Sequence, residues 1–127
     1  MAIEVVTEES SKLMVWDGAQ WVRVRSPNTY KDLNAVAIGT IATVWTPAIG
    51  KTIRVLGGMF SVSAAGSVLV EDNAGGTTVF RTPKLLADTP YTFDLPGGRV
   101  LSAADRVLKA TLSTTGTITG TLWGIEE

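Results

Sequence analysis

The sequence predicts an all-β protein: an antiparallel β-sandwich or jelly-roll of about seven or eight strands, preceded by an N-terminal arm and a short β-hairpin. Three observations predict it. Short runs rich in Thr and Val recur along residues 35–127, and a pleated, half-buried surface selects that composition. Turn residues interrupt these runs at Pro47–Gly50, Ala64–Gly66, Asn73–Gly76, Ala87–Pro90, Pro96–Gly98 and Thr114–Gly116, a density of breaks typical of sandwiches and small barrels. Inside the runs, apolar and polar residues alternate with a period of two, as in a strand with one buried face.

The chain divides into an arm and hairpin over residues 1–34 and a sandwich domain over residues 35–127. Met1 to about Ser11 carries Glu4, Glu8 and Glu9 with no basic residue, and it has neither a helical period nor a long strand pattern. It reads as an arm. Lys-Leu-Met-Val-Trp (12–16) and Gln-Trp-Val-Arg-Val (20–24) then flank Asp17-Gly18-Ala19. Asp-Gly between two strand-like runs signals a hairpin, because Gly accepts the positive φ of a tight turn. Trp16 and Trp21 flank that turn and are placed to pack across the ribbon. A two-stranded hairpin is marginal in water, so it must lie on the body or on another chain. Ser26-Pro27-Asn28 breaks the pattern, making residues 25–34 a linker.

In the body the candidate strands are Val36–Trp45, Thr52–Ser63, Ser67–Glu71, Thr77–Arg81, Tyr91–Leu95, Arg106–Ser113 and Thr117–Ile125, with a short eighth near Lys84–Leu86. Alternation assigns faces. Tyr91, Phe93 and Leu95 oppose Thr92 and Asp94. Leu108, Ala110 and Leu112 oppose Lys109, Thr111 and Ser113. Ile118, Gly120, Leu122 and Gly124 oppose Thr117, Thr119, Thr121 and Trp123. Gly57-Gly58 inside a run marks a bulge or bend. Leu101–Leu108 is the one stretch where a turn of helix fits.

The 127 residues total 13.4 kDa, enough to bury a core without covalent staples. There is no cysteine and no histidine. That removes disulfides, thiolate chemistry, the usual neutral-pH general base and the commonest zinc ligand. Eleven basic against twelve acidic residues leave a formal charge of −1, which offers no long-range attraction to nucleic acid or anionic membrane. Charged residues make up 18% of the chain, against about 25% in an average domain, and mean hydropathy is +0.23. A chain this apolar is expected to cover part of its surface with a partner. The N-terminus lacks the basic and apolar regions of a secretory signal, and no window is apolar enough for a membrane helix. The product is therefore expected to stay in the cytoplasm where it is made, or to join an assembly there.

The candidate chemical groups are few. Glu71 and Asp72 adjoin the turn Asn73-Ala74-Gly75-Gly76, and Asp94 and Asp105 lie near other turns. Paired carboxylates serve glycosidases or hold calcium, but Glu71-Asp72-Asn73 lacks calcium-loop spacing, and Asp, Asn and Gly are ordinary turn residues. Gly75-Gly76-Thr77-Thr78 and Gly97-Gly98-Arg99 lack phosphate-loop spacing. Trp16, Trp21, Trp45 and Trp123, with Tyr30 and Tyr91, form either a sugar-stacking platform or, the favoured reading, core and subunit interface. Lys12, Arg23, Arg25 and Lys31 are too few for a phosphate-binding surface. They suit pairing with acidic groups on another chain. No catalytic residue, metal ligand or cofactor is assigned. The candidate partner-binding residues are Glu4, Glu8, Glu9, Trp16, Trp21, Arg23, Arg25 and Tyr30.

Several segments together resemble small virion proteins of tailed bacteriophages. They are Thr-Val-Trp-Thr-Pro-Ala-Ile-Gly-Lys-Thr-Ile-Arg (43–54), a mid-domain Thr-Pro with Leu85, Leu-Ser-Ala (101–103), Gly-Thr-Leu-Trp-Gly-Ile-Glu-Glu (120–127) and the hairpin Val-Trp-Asp-Gly-Ala-Gln-Trp-Val (15–22). The resemblance spans most of the chain and rests mainly on fold-forming residues. It implies a sandwich or jelly-roll subunit of the capsid decoration (cement) kind. Such proteins assemble as homotrimers on the head, often with an arm reaching a neighbouring subunit.

The expected function is therefore non-enzymatic: binding to the outer capsid surface and stabilisation of the expanded head by bridging major-capsid subunits. The alternative is a tail or fibre component with a receptor- or carbohydrate-binding sandwich. A small enzyme is the third reading, and it requires two carboxylates facing each other in a cleft. The expected partners are the major capsid protein and further copies of the chain, a trimer being favoured. Nucleic acid, membrane and small-molecule substrates are not expected. The expected location is the capsid surface of a virion, after synthesis in the host cytoplasm.

Overall fold

The computed structural model describes residues 14–16, 19, 21–23, 26–73 and 76–127. Strands β1 (Met14–Trp16) and β2 (Trp21–Arg23) form a separate antiparallel hairpin in which Trp16 lies opposite Trp21. The arm, with Glu4, Glu8 and Glu9, lies outside the described residues, as do Arg25 and the Asp17-Gly18 turn. Eight further strands build the body: β3 (Thr29–Ala37), β4 (Ala42–Trp45), β5 (Ile53–Val62), β6 (Val68–Asp72), β7 (Thr78–Arg81), β8 (Tyr91–Val100), β9 (Leu108–Leu112) and β10 (Thr117–Glu126). They make two four-stranded antiparallel sheets, in the orders β3-β10-β5-β8 and β4-β9-β6-β7.

The pairing is nested. β6 pairs with β7, β5 with β8, β4 with β9 and β3 with β10. The chain is a long antiparallel ribbon rolled so that β10 also pairs with β5, and β9 with β6. The inner faces meet in one core. Leu33, Phe60, Val62, Phe93, Ile118 and Leu122 from the first sheet oppose Val44, Val68, Val70, Leu108, Ala110 and Leu112 from the second. Phe93 lies 6.2 Å edge-on to Phe60, a geometry that aromatic quadrupoles favour, and 4.1 Å from Phe80. The face assignments made from alternation in the last three body strands hold.

The Gly57-Gly58 bulge is present. Trp123 pairs with Gly57 and Gly124 with Val55, leaving Leu56 as the extra residue. A Cβ on Gly57 would sit 2.7 Å from the Phe93 carbonyl oxygen and 2.8 Å from Trp123 Nε1, so the outer face here has room for an indole and no second side chain.

Five local expectations are corrected. Residues 29–34 are not linker but the first part of β3, and the division between residues 34 and 35 falls inside that strand. β3 is an edge strand whose only fully buried residue is Leu33, so it carries little apolar periodicity. The run Val36–Trp45 is two strands. It crosses between the sheets at Ile38, which is wholly buried and donates its N–H to Gly116 O while its own carbonyl accepts the Leu112 N–H. Pro96–Gly98 does not end a strand. The β5–β8 register jumps from Val55–Arg99 to Gly57–Asp94, and a proline without an N–H is tolerated at such a bulge on an edge strand. Arg54 Nη1 pins the bulge by donating to Gly97 O at 2.9 Å. Finally, residues 101–108 form no helix. Leu101 enters the core, its N–H bound to Ile53 O, and Asp105 takes a positive φ of 65°. The expected strand near Lys84–Leu86 is a single bridge between Leu85 and Gly66.

Candidate interaction surface

Two of the four carboxylates that stood as candidates for chemistry, Asp72 and Asp105, are tied into the scaffold by hydrogen bonds. Asp72, at the end of β6, is buried. Its Oδ1 accepts the Thr77 N–H at 2.9 Å, and its Oδ2 accepts the Ser102 hydroxyl at 2.7 Å and the Ser102 N–H at 3.1 Å. Burial pushes its carboxyl up, but the Ser102 hydroxyl, the Ser102 and Thr77 N–H groups and the Arg106 charge together hold it below the ordinary aspartate value. The groove beside it, of about 160 Å³, is lined by Thr77, Thr78, Val79, Arg99 and Leu101, with no second carboxylate among the described residues that line it. Glu71, the neighbour of Asp72 on β6, lies in register with Lys109 of β9. Asp94 is exposed on β8. Asp105 accepts the Gly50 N–H at 2.6 Å. Glu71 and Asp72 sit on β6, Asp94 on β8 and Asp105 in the loop before β9. Among the described residues no buried side-chain polar atom lacks a partner.

Trp45 and Trp123 do not share a platform. Trp45 is 1% exposed and belongs to the core; its Nε1 donates to Glu126 Oε2 at 2.8 Å. Trp123 lies on the outer face of the first sheet, half-buried over Gly57. Register places Tyr30 of β3 directly across from Trp123, and Tyr30 is 63% exposed. The backbone of Trp16, Trp21 and Arg23 lies in the β1–β2 hairpin. Of the sequence-derived partner residues, the structure therefore puts Tyr30 on an exposed face. It places Trp16, Trp21 and Arg23 together on the hairpin and leaves Glu4, Glu8, Glu9 and Arg25 outside its description.

Sequence reasoning missed the most exposed large apolar side chain among the described residues. Ile49 is 97% exposed, at the centre of the loop between β4 and β5. Lys51 N–H closes a turn onto Ala48 O at 3.0 Å, and Gly50 has a φ of 80°, the value a type II turn demands at its third residue. Outside bonds hold this turn at three points: Ala48 N–H to Glu126 Oε1 at 3.0 Å, Gly50 N–H to Asp105 Oδ1 at 2.6 Å, and Asp105 N–H to Lys51 O at 2.9 Å. The Pro47–Gly50 turn signal is visible in the sequence. Its bracing by residues fifty to eighty positions away is not. Further along the outer face of the first sheet, Met59, Phe60, Ser61, Pro90, Thr119 and Gly120 line a mostly apolar groove of about 160 Å³, with Met59 51% exposed.

No protein-family model and no curated protein matches the chain. Among solved structures it is similar to one titled "Structure of infectious bursal disease virus Gx strain", with 12% sequence identity and a TM-score of 0.36, over 88% of this chain and 36% of that chain. A likeness at that level carries no argument about role.

Proposed function

We propose that the chain is a non-enzymatic virion structural protein of the capsid decoration kind. In this reading it binds the outer capsid surface and stabilises the expanded head by bridging major-capsid subunits. The observation that carries the proposal is the Tyr30–Trp123 pair: two aromatic side chains in register on the open face of a rigid sheet. Aromatic residues on a preorganised surface are efficient anchors for a protein partner. Two facts support the reading. Asp72 and Asp105 serve as hydrogen-bond acceptors within the scaffold. The nested eight-strand pairing is also what a jelly-roll subunit requires. The mechanism is linkage: a ligand that binds only the assembled, expanded shell stabilises it by mass action.

The test is co-sedimentation of the purified protein with undecorated expanded capsids. Binding should saturate at a fixed stoichiometry and raise the temperature at which capsids rupture. Tyr30→Ala should weaken it about tenfold, and deletion of residues 1–11 should weaken it as well. No sedimentation with capsids at any concentration rejects the proposal. The same aromatic pair suits stacking on a sugar, so a glycan-array signal that Tyr30→Ala abolishes would assign the face to a tail or fibre receptor instead.

A further inference from the structure

We propose that the outer face of the first sheet recognises an arginine-bearing segment of a protein partner, which names the chemistry of the docking surface and rests on reading the Tyr30–Trp123 pair as its anchor. Strand register lays that face out in two rows. In the first, Tyr30 of β3 stands beside Trp123 of β10, Trp123 beside Gly57 of β5, and Gly57 beside Asp94 of β8. In the second, Asp32 stands beside Thr121, Thr121 beside Met59, and Met59 beside Thr92. Residues two apart on a strand share a face, so both rows belong to one surface. Asp32 is diagonal to Trp123. The Trp123 indole reaches over Gly57, which brings its edge toward Asp94. The aromatic pair thus has an aspartate on either side.

The free charge on this surface has one sign. Asp94 is exposed and makes no hydrogen bond or ion pair among the described residues. Asp32 is also exposed; its Oδ1 accepts the Thr121 hydroxyl at 3.2 Å, and its Oδ2 has no partner among the described residues. The neighbouring cations are turned or tied elsewhere. Lys31 alternates to the opposite face, in register with buried Leu122 and close to Glu126. Arg99 is in register with buried Val55 and lines the groove by Asp72. Arg54 shares the outer face, but it pairs with Glu127 at 2.9 Å and donates to Gly97 O. Arg23 is carried on the hairpin, which approaches the sheet along β8.

This combination selects a guanidinium. A cation over the face of Trp or Tyr is attracted by the ring quadrupole. The planar arginine group stacks on a ring while its fork of N–H donors meets a carboxylate, and a lysine ammonium cannot do both at once. A neutral sugar would use the rings and gain nothing from the charge, and phosphates or an anionic membrane would be repelled. Strand spacing puts Asp32 and Asp94 roughly 16 Å apart. Arginines four residues apart in an extended segment span about 14 Å, a difference that their long side chains take up.

Heteronuclear NMR on the full, isotope-labelled chain tests the proposal, with the peptide acetyl-Arg-Gly-Ser-Gly-Arg-amide as probe. The peptide should shift the Trp123 indole resonance and the amides of Tyr30, Asp32 and Asp94, saturably, at up to about 10 mM. Replacing both arginines by citrulline, which keeps the shape and loses the charge, should weaken binding about tenfold. Raising salt from about 20 to about 300 mM should weaken it further. Asp32→Asn and Asp94→Asn should each weaken it about two- to fivefold, with the remaining spectrum unchanged. Equal binding of the citrulline peptide, shifts confined to another face, or no saturable shift overturns the proposal. So does maltohexaose shifting these resonances where the arginine peptide does not. Capsid sedimentation separates the two readings. Capsids bound with Tyr30 dependence, but equally well by Asp32→Asn and Asp94→Asn, would end the arginine and leave the decoration role standing. Arginine-peptide binding by a chain that ignores capsids would support this proposal and reject that role.

Discussion

Glu126 ties three separated parts of the chain together through one residue. Oε2 accepts the Trp45 indole, Oε1 accepts the Ala48 N–H, and its own N–H donates to Asn28 Oδ1 at 3.1 Å. Burial raises the pKa of this carboxyl. The bonds from Trp45 and Ala48 and the charges of Lys31 and Lys51 outweigh that and bring it below its ordinary value of 4.5. Asp72 is likewise held below its ordinary 3.8. A carboxylate whose pKa is depressed by folding binds fewer protons folded than unfolded. The stability it adds is complete above its ordinary value and is lost as pH falls through the folded one. Urea unfolding midpoints should therefore be flat near neutrality and should fall on acidification below about pH 5. Glu126→Gln should reduce that slope while keeping an acceptor for Trp45. Glu126→Ala, which strands a buried indole N–H, should cost about 1–3 kcal/mol at pH 7. An unchanged acid slope in Glu126→Gln would show that this carboxylate is not a source of the pH dependence.

At the level of elements, legibility in the sequence followed the share of each strand's side chains that enters the core. In β9, Leu108, Ala110 and Leu112 alternate with polar residues and all three are buried, so the strand and its inner face are readable. In β3 only Leu33 is buried, and an edge strand stabilised by backbone pairing leaves no apolar period to read. The β8 bulge was hidden for a related reason: Pro96-Gly97-Gly98 has turn composition, and what keeps it in the sheet, the Val55–Arg99 and Arg54–Val100 pairs and the Arg54 side chain, comes from a neighbouring strand. Of the candidate interaction surface, Tyr30 was legible as an aromatic residue in a polar run. The braced Ile49 turn was not, since its bonds come from residues distant in sequence. A second hidden feature in β3 makes a sharp prediction. Ile118 pairs with Val36 and Gly120 with Leu33, so Asn34 and Ala35 together oppose Thr119. Ala35 accommodates the bulge with a φ of 49° and donates its N–H to Thr119 Oγ1 at 3.0 Å. The left-handed region costs an L-residue about 1–2 kcal/mol, while glycine's extra unfolded-state freedom costs about 0.5–1 kcal/mol. Ala35→Gly should therefore raise stability by up to about 1 kcal/mol. Ala37→Gly, at a regular pair with Thr117, should lower it by about 0.5–1 kcal/mol. Equal losses at both positions in urea titrations would refute the bulge.

For the molecule as a whole, nested pairing makes the two ends of the body interdependent. β6 and β7 are joined by a short loop, and each outer pair closes around the one inside it, ending with β3 against β10. Loop-closure entropy is therefore smallest for β6–β7 and is offset late for β3–β10. Chains dominated by such non-local pairs fold slowly, in about milliseconds to seconds. β10 has a particular place in this order. It lies between β3 and β5, it supplies Ile118 and Leu122 to the core, and its Glu126 holds the Ile49 turn. Without it β3 has no partner in the sheet and β5 loses one of two. A chain ending at Gly116 should lose its cooperative urea transition. Removing residues 1–25 takes away only the arm and the hairpin, which belongs to neither large sheet, and should preserve the transition with a nearly unchanged slope. Refolding of the wild type in stopped-flow fluorescence should show the slow phase. Ile118→Ala, at the last pair to close, should act mainly by speeding unfolding, because contacts absent from the transition state leave the folding rate nearly untouched. A large fall in the folding rate of Ile118→Ala would place β10 in the nucleus and reverse the order of assembly.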